Sequence, residues 1–195
     1  MNKNKIDIFS RELSYIKSER FLNNVKTIIE LLPDYFFEIP ASSTGKYDRK
    51  FSLGNGGLIR HTKVAVTIAH TLLENNSVSN FTNDEKDLII IALLIHDSFK
   101  SGYPKEKYTR IDHPLLVVNF LRDNKDKLDF TDNEFKYLCD AISSHMGEFN
   151  KDYKGNTVLP LPNNKYQKFV HMCDFLASKK FLDIRFDEEN NIVDE

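Results

Sequence analysis

The chain has 195 residues, a formal net charge of -2 and 29% charged side chains. This length suits one domain with a continuous hydrophobic core and is short for two. The near-neutral charge excludes the strongly basic surface of a general duplex-binding protein and favours small or short ligands. We therefore expect a single domain over residues 1–195 with no duplex nucleic acid as partner.

The two cysteines and the hydropathy of the chain indicate which cellular compartment to expect. Cys139 and Cys173 lie far apart and form neither a CxxC pair nor a disulfide framework. The N-terminus is polar, and no run approaches the ~18 apolar residues of a spanning helix. We expect a soluble, unprocessed, cytoplasmic protein with no membrane partner.

The first predicted element is an amphipathic accessory helix over residues 6–32. Apolar residues recur there at steps of three and four, with a break near Ser18 and a stop at Pro33. An exposed face of this helix would suit a homodimer. Residues 40–57 are rich in Ser and Gly and predict an irregular loop. Within it, Arg49 and Lys50 are candidate contacts for an anionic substrate, or else solvated loop charges.

Two helices follow the loop. Residues 58–74 carry a strong apolar stripe with His61 on or beside it, whereas His70 is expected to be structural or exposed. The next helix starts at Thr82 or Asn83 and ends at the adjacent His96 and Asp97. It is apolar on all sides, which predicts a central, buried position. An imidazole beside a carboxylate is a plausible half of a metal site.

The segment after Asp97 adds further candidates. Lys100 lies about one helical turn past Asp97, where it would hold a phosphate oxygen or simply neutralise the carboxylate. Arg110 is a weaker candidate for substrate binding. His113 precedes Pro114, and proline favours the first turn of a helix, so His113 is expected at a helix entrance.

The last two helices each carry one more donor. Thr131 with Glu134 forms a capping box for a helix over residues 135–146, with His145 near its end. A final helix over residues 165–182 contains Asp174. Ser178 and Lys179 lie one turn beyond Asp174 and would either face a substrate phosphate or complement the helix dipole. The acidic tail, residues 183–195, predicts a short strand or a frayed end.

The donor order resembles that of the HD-domain metal-dependent phosphohydrolase superfamily over roughly residues 57–182. The core motif, His, then His-Asp, then a distant Asp, is matched by His61, His96, Asp97 and Asp174. The segments around His113-Pro114 and Ser144-His145-Met146-Gly147 resemble those of its two-metal branches, including the cyclic-dinucleotide phosphodiesterases. The stretch from Leu159 to Lys179 resembles the closing region of HD-type exoribonucleases.

This resemblance implies an all-α HD-domain bundle of about six to eight helices around a metal site. It implies two divalent transition-metal ions, Mn or Fe, with Mg, Zn, Ni and Co as alternatives. One ion would be held by His61, His96, Asp97 and Asp174, and the other by His113 and His145 with Asp97 as a bridge. The implied enzyme hydrolyses a phosphate ester of a nucleotide or short single-stranded oligonucleotide with metal-activated water. Its catalytic residues would be His61, His96, Asp97, Lys100 and Asp174.

One tripeptide departs from the pattern of the cyclic-dinucleotide branch. Gly102-Tyr103-Pro104 lies before the third histidine, whereas the cyclic-di-GMP phosphodiesterases carry their tripeptide after the fourth. We interpret this tripeptide as coincidental.

Three alternatives remain open at this stage. The same ligand order occurs in HD-type di-iron oxygenases that cleave small organic substrates. A second alternative is a non-catalytic ligand-binding HD module, and the third concerns the number of metal ions. If His113 and His145 only support their neighbours, a single metal would remain.

Overall fold

The computed structural model describes residues 4–43, 50–179 and 184–193, and there the chain is an all-α bundle of eight helices. The predicted all-α class is confirmed. The helices are α1 (Lys5–Ile8), α2 (Ser10–Leu13), α3 (Glu19–Leu31), α4 (Gly57–Leu73), α5 (Asn83–Ile95), α6 (His113–Asp123), α7 (Asp132–Ser143) and α8 (Lys165–Ala177). Short 3-10 turns cover Asp34–Phe37, Lys50–Ser52 and Lys125–Lys127.

The N-terminal region is interrupted at the predicted position. Ser18 caps α3 by accepting a hydrogen bond from the Phe21 backbone N–H. The buried Asp87 carboxylate of α5 accepts further bonds from the N–H groups of Lys17 and Ser18, at 3.0 and 2.8 Å. A second interruption at Phe9 separates α1 from α2. These bonds satisfy amide groups that a continuous helix would have used, so the break is stable.

Helix α5 lies at the centre of the bundle, as its apolar sequence predicts. Every side chain from Ile89 to Ile95 is at most 2% exposed. Helices α3, α4, α7 and α8 all contact it, so the segment 89–95 has no face open to solvent. In the part of the chain that the structure describes, no helix combines the length and apolarity needed to cross a bilayer.

Capping boxes set the starts of three helices. Thr82 with Glu85, Thr131 with Glu134, and Asn164 with Gln167 form them at the starts of α5, α7 and α8. Two predicted bounds are wrong. Helix α7 runs over Asp132–Ser143 rather than 135–146, and α8 ends at Ala177 rather than 182.

The early ends of α7 and α8 have the same physical cause. The Ser144 hydroxyl donates to the Asp140 carbonyl at 2.8 Å, and the Ser178 hydroxyl donates to the Phe175 carbonyl at 2.6 Å. A side-chain donor thus competes with the backbone N–H for the carbonyls of the last turn. His145 therefore lies just past the end of α7 instead of in its last turn.

The C-terminal residues pack on the start of α4. An isolated antiparallel bridge joins Phe186 to Ile192, and the Phe186 ring lies 5.5 Å from that of Phe51. Arg60 of α4 donates to the Asn190 side chain, and Arg11 donates to the Ile192 carbonyl. The described part of the tail is thus held by side-chain contacts around one bridge.

Replacing Glu134 with Gln should remove a pH-dependent part of the stability. The Arg20 guanidinium binds this carboxylate through two bonds of 2.6 and 2.9 Å, joining α3 to α7. This hydrogen bonding lowers the pKa of Glu134 from 4.5 to about 2. Its contribution is therefore complete above the unfolded value of 4.5 and is lost as the pH falls through about 2.

Denaturant unfolding at about pH 6 should show Glu134→Gln to be destabilised by about 1–2 kcal/mol, after allowance for solvent screening. Near pH 2 the difference from wild type should largely vanish. Gln can keep the capping box, so the substitution removes the charge and at least one of the two bonds from Arg20. Asp132→Asn, which removes an exposed ion pair with Lys125, is the control and should change less. A Glu134→Gln deficit that is equal at both pH values would contradict the assignment.

Candidate metal centre

The six predicted metal ligands meet at one place in the bundle. His61 lies in α4 and Asp174 in α8, whereas His96 and Asp97 directly follow α5. His113 is the first residue of α6, and His145 follows α7. The Nε2 atom of His61 lies 2.9 Å from Oδ1 of Asp174, and Nε2 of His96 lies 3.3 Å from the same oxygen. Elements distant in sequence therefore bring their donors into contact.

The two oxygens of Asp97 face different histidines. Its Oδ1 lies 2.8 Å from Nε2 of His113 and 3.5 Å from Nε2 of His145. Its Oδ2 lies 3.5 Å from Nε2 of His96 and 3.9 Å from Nε2 of His61. Asp97 thus stands between a pair of donors on one side and a second pair, with Asp174, on the other.

Three of the histidines each form the same kind of hydrogen bond to the backbone. The Nδ1 atoms of His96, His113 and His145 lie 2.7, 2.6 and 2.8 Å from the carbonyl oxygen three residues earlier in the chain. A carbonyl only accepts, so each Nδ1 carries the proton. In the neutral ring Nε2 then has a lone pair and no hydrogen, and this is the nitrogen that faces Asp97. Such a backbone bond commonly orients a metal-binding histidine.

Burial leaves this cluster with unsatisfied electron-pair donors. His96, His113 and His145 are 0% exposed and Asp97 is 1% exposed. Nε2 of His96 and Oδ1 of Asp97 have no hydrogen-bond partner among the described residues. With His113 protonated on Nδ1, the 2.8 Å approach to Asp97 brings two acceptors together rather than a donor and an acceptor. Buried acceptors that face one another need either a shared proton or a metal ion between them.

The electrostatics favour a positive charge at the same point. Burial lowers the pKa of His96, but the neighbouring Asp97 and Asp174 carboxylates outweigh it and raise the value to about 10. Burial alone dominates at His145 and lowers its pKa to about 4. Burial acts to raise the pKa of Asp97, yet Lys100 and His96 hold it well below its usual range. The pKa of Asp174 is likewise held well below its usual range, against its burial, by His61 and His96. Two ionised carboxylates therefore favour positive charge at this point, which either a proton on His96 or a metal ion can supply.

The donor set fits a metal ion. His61, His96 and Asp174 form one group, and His96, Asp97 and His145 form another, with ligand atoms within 4.8 Å of one another in each. Imidazole nitrogen with carboxylate oxygen suits Mn, Fe, Zn and similar ions. The geometry and the orphaned acceptors thus agree with a metal centre at the predicted residues.

Lys100 contacts both the cluster and the space beside it. Its Nζ lies 2.5 Å from Oδ2 of Asp97. The residue also lines a cavity of about 220 Å³ together with His61 and Asp174. Neutralising Asp97 and meeting an anionic group are therefore compatible roles for this ammonium.

The other candidate substrate-binding residues are placed differently. Ser178 lines the cavity, whereas the Lys179 Nζ lies over the Phe175 ring at 3.3 Å from its centroid. Arg110 donates to the carboxylates of Asp112 and Glu106. Lys50 is exposed and does not line the cavity. Arg49 lies outside the described residues, and its predicted role stays a prediction.

The cavity also contains residues that sequence reasoning did not select. Its walls include Ser42, Ser52, Thr109, Met146, Phe149, His171 and Phe175. Most come from loops whose sequences carry no periodic signal. His171 had one available signal, its position one helical turn before Asp174. The remaining histidine, His70, stacks on Tyr15 with ring centroids 3.7 Å apart and lies outside the cluster.

Searches of known proteins add no relative to this picture. No family model, no curated protein and no solved structure matches this chain. Fold and site together define an all-α bundle around a buried cluster of histidines and carboxylates that could hold a metal ion.

Proposed function

We propose that this chain is a metal-dependent phosphohydrolase of the HD type that uses two divalent metal ions. Its substrate is a nucleotide or a short single-stranded oligonucleotide, and its place of action is the cytoplasm. The observation that carries the proposal is the placement of Asp97, whose two carboxylate oxygens face two separate sets of donors. A carboxylate in this position suits the bridge of a two-metal site.

The protein's own groups have definable tasks in this proposal. His61, His96 and Asp174 hold one ion, and His113 and His145 hold the other, with Asp97 shared between them. Two bound ions would polarise a phosphoryl group and lower the pKa of an attacking water. Lys100 neutralises Asp97 and contacts a phosphate oxygen of the substrate. The backbone bonds to Nδ1 keep the imidazoles of His96, His113 and His145 oriented before any ligand arrives.

The test is metal stoichiometry combined with phosphate release. Protein purified without chelator should contain about two metal ions per chain by elemental analysis. His113→Ala and His145→Ala should each reduce this value, because both rings lie against Asp97. His70→Ala is the matched control and should retain the wild-type content, because His70 stacks on Tyr15 away from the cluster.

Activity is then screened on mononucleotides, cyclic dinucleotides and short oligonucleotides. Metal-dependent hydrolysis of any member supports the proposal. Unchanged stoichiometry in both His→Ala variants would sink the two-metal assignment. Two irons with oxygen consumption and no hydrolysis would instead identify an HD-type di-iron oxygenase, since the same nitrogen and oxygen donors suit iron. Absence of bound metal would leave a ligand-binding module.

A further inference from the structure

A second and larger cavity, which we call the α3–α6 cavity, lies between the end of α3 and helix α6. Its volume is about 640 Å³, against about 220 Å³ for the cavity beside the metal centre. Sites for small molecules typically measure roughly 300–1,000 Å³. In the part of the chain that the structure describes, the two cavities have no wall residue in common. The α3–α6 cavity is therefore a separate candidate site.

The wall of the α3–α6 cavity is largely aromatic. Four aromatic side chains line it, namely Tyr35, Phe99, Tyr103 and Phe120. The ring centroid of Phe99 lies 5.0 Å from that of Phe120 and 5.9 Å from that of Tyr103. Tyr103 is 75% exposed, and Leu31, also on the wall, is 41% exposed. Large apolar side chains left open to solvent around one cavity indicate a surface that a ligand covers.

The charge on this wall is negative. Among the described residues, the ionisable acids and bases that line it are two carboxylates, Asp34 and Asp123. Two helices also end here, because Leu31 is the last residue of α3 and Asp123 is the last of α6. The C-terminal end of a helix carries partial negative charge. The wall therefore favours a cation and disfavours an anion such as a phosphate.

The end of α3 already holds an ammonium group of the chain itself. The Lys5 Nζ donates to the Leu32 carbonyl at 2.6 Å and pairs with Asp34 at 2.7 Å. It also lies 5.6 Å from the centroid of the Phe37 ring. A helix end, a carboxylate and an aromatic ring thus bind one ammonium together.

The end of α6 offers the same three kinds of group to the cavity. Asp123 ends the helix, Phe120 lies one turn before it, and both line the cavity. The two lysines that follow α6, Lys125 and Lys127, are bonded to other residues, Asp132 and Asn124. Within residues 4–43, 50–179 and 184–193, no basic side chain pairs with Asp123. A carboxylate at the C-terminal end of a helix is unfavourable alone, so an external cation would be stabilised there.

We propose that the α3–α6 cavity binds an organic cation, an ammonium group carried on an aliphatic or aromatic body. The ammonium lies against Asp123 at the end of α6, and the body packs on the rings of Phe99 and Phe120. Aromatic faces attract both cations and apolar groups, so the rings contribute to both parts. This ligand is not the substrate of the metal centre, and the inference does not depend on the proposed function.

Three probes with the same body and different charge test the site: phenylbutylamine, phenylbutanol and phenylbutyrate. Isothermal titration calorimetry on the full chain should show the amine binding about 2- to 30-fold more tightly than the alcohol, the range expected for a cation beside aromatic rings. The anionic butyrate should bind more weakly than the alcohol. No detectable binding of the amine, or equal affinities of amine and alcohol, would overturn the proposal.

Asp123→Asn tests the charge at the end of α6. The amide keeps the shape of the wall and removes the negative charge, so the amine-to-alcohol affinity ratio should fall towards one. Asp126→Asn is the matched control, because Asp126 is an exposed carboxylate in the following 3-10 turn and does not line the cavity. It should keep the wild-type ratio. An equal fall in both variants would show that net charge alone attracts the amine, which contradicts the site.

Asn119→Trp tests the location. Asn119 is an exposed wall residue of α6, so a tryptophan there fills the cavity from its edge, and binding of all three probes should be lost. Arg122→Trp, on the same helix but outside the wall, should retain wild-type binding. Unchanged binding in Asn119→Trp would overturn the location. Sedimentation velocity that shows a dimer dissociated by Leu31→Lys would assign the cavity to a second copy of the chain and overturn the ligand.

Discussion

Asp97→Asn should lower phosphohydrolase activity by at least about 1,000-fold and reduce the bound metal below two ions per chain. Loss of a residue that merely supports a metal ligand typically costs about 10- to 100-fold, and Asp97 faces both donor sets itself. The amide has no net charge and only one oxygen, so it cannot bridge. Elemental analysis and phosphate release on the same preparation measure both effects.

Asp87→Asn is the matched control for this loss. Asp87 lies on the same helix, α5, and is 2% exposed, but it accepts hydrogen bonds from the Lys17 and Ser18 backbone far from the cluster. Its replacement should cost about 1–3 kcal/mol of stability through weakened buried bonds. Metal content should stay at the wild-type value. Retention of two metals by Asp97→Asn would contradict the bridging role.

Much of the fold follows from local chemistry that the sequence displays. The capping boxes at Thr82 and Thr131 are visible as short patterns, and the structure contains both. The uniformly apolar stretch before His96 predicts a central helix, and α5 is that helix. Helix ends are harder to predict from the sequence. The hydroxyls of Ser144 and Ser178 compete with backbone N–H groups for carbonyl oxygens, and this competition depends on the side-chain rotamers.

The site, like the fold, has features that the sequence predicts and features that it does not. The six donors could be chosen from their order along the chain, and the structure brings all six together. The shared backbone bond to Nδ1 could not be anticipated, because it depends on the chain direction at three separate helix termini. The cavity wall was equally hidden, since Ser52 and Thr109 come from loops that meet only in three dimensions.

Gly57→Ala should destabilise the protein by about 3–5 kcal/mol, although alanine is the better helix former by ~1 kcal/mol. A Cβ at this first residue of α4 would lie 2.2 Å from the Ser52 carbonyl oxygen, 2.6 Å from its carbon and 3.0 Å from Cα of Pro40. All three atoms are backbone, so no side-chain rotation relieves the overlap. The same Ser52 oxygen accepts the Ala41 N–H at 3.0 Å, and moving it weakens that bond.

Gly54→Ala separates this overlap from ordinary glycine effects. Gly54 lies in the same turn with a φ of +68° and has nothing within 4 Å of an added Cβ. Its replacement should cost only about 1–2 kcal/mol, the penalty for a left-handed conformation. Denaturant unfolding of both variants decides the matter, and equal losses would refute the backbone contact. Because Ser52 lines the cavity and His61 lies one turn along α4, Gly57→Ala should also reduce metal content, whereas Gly54→Ala should not.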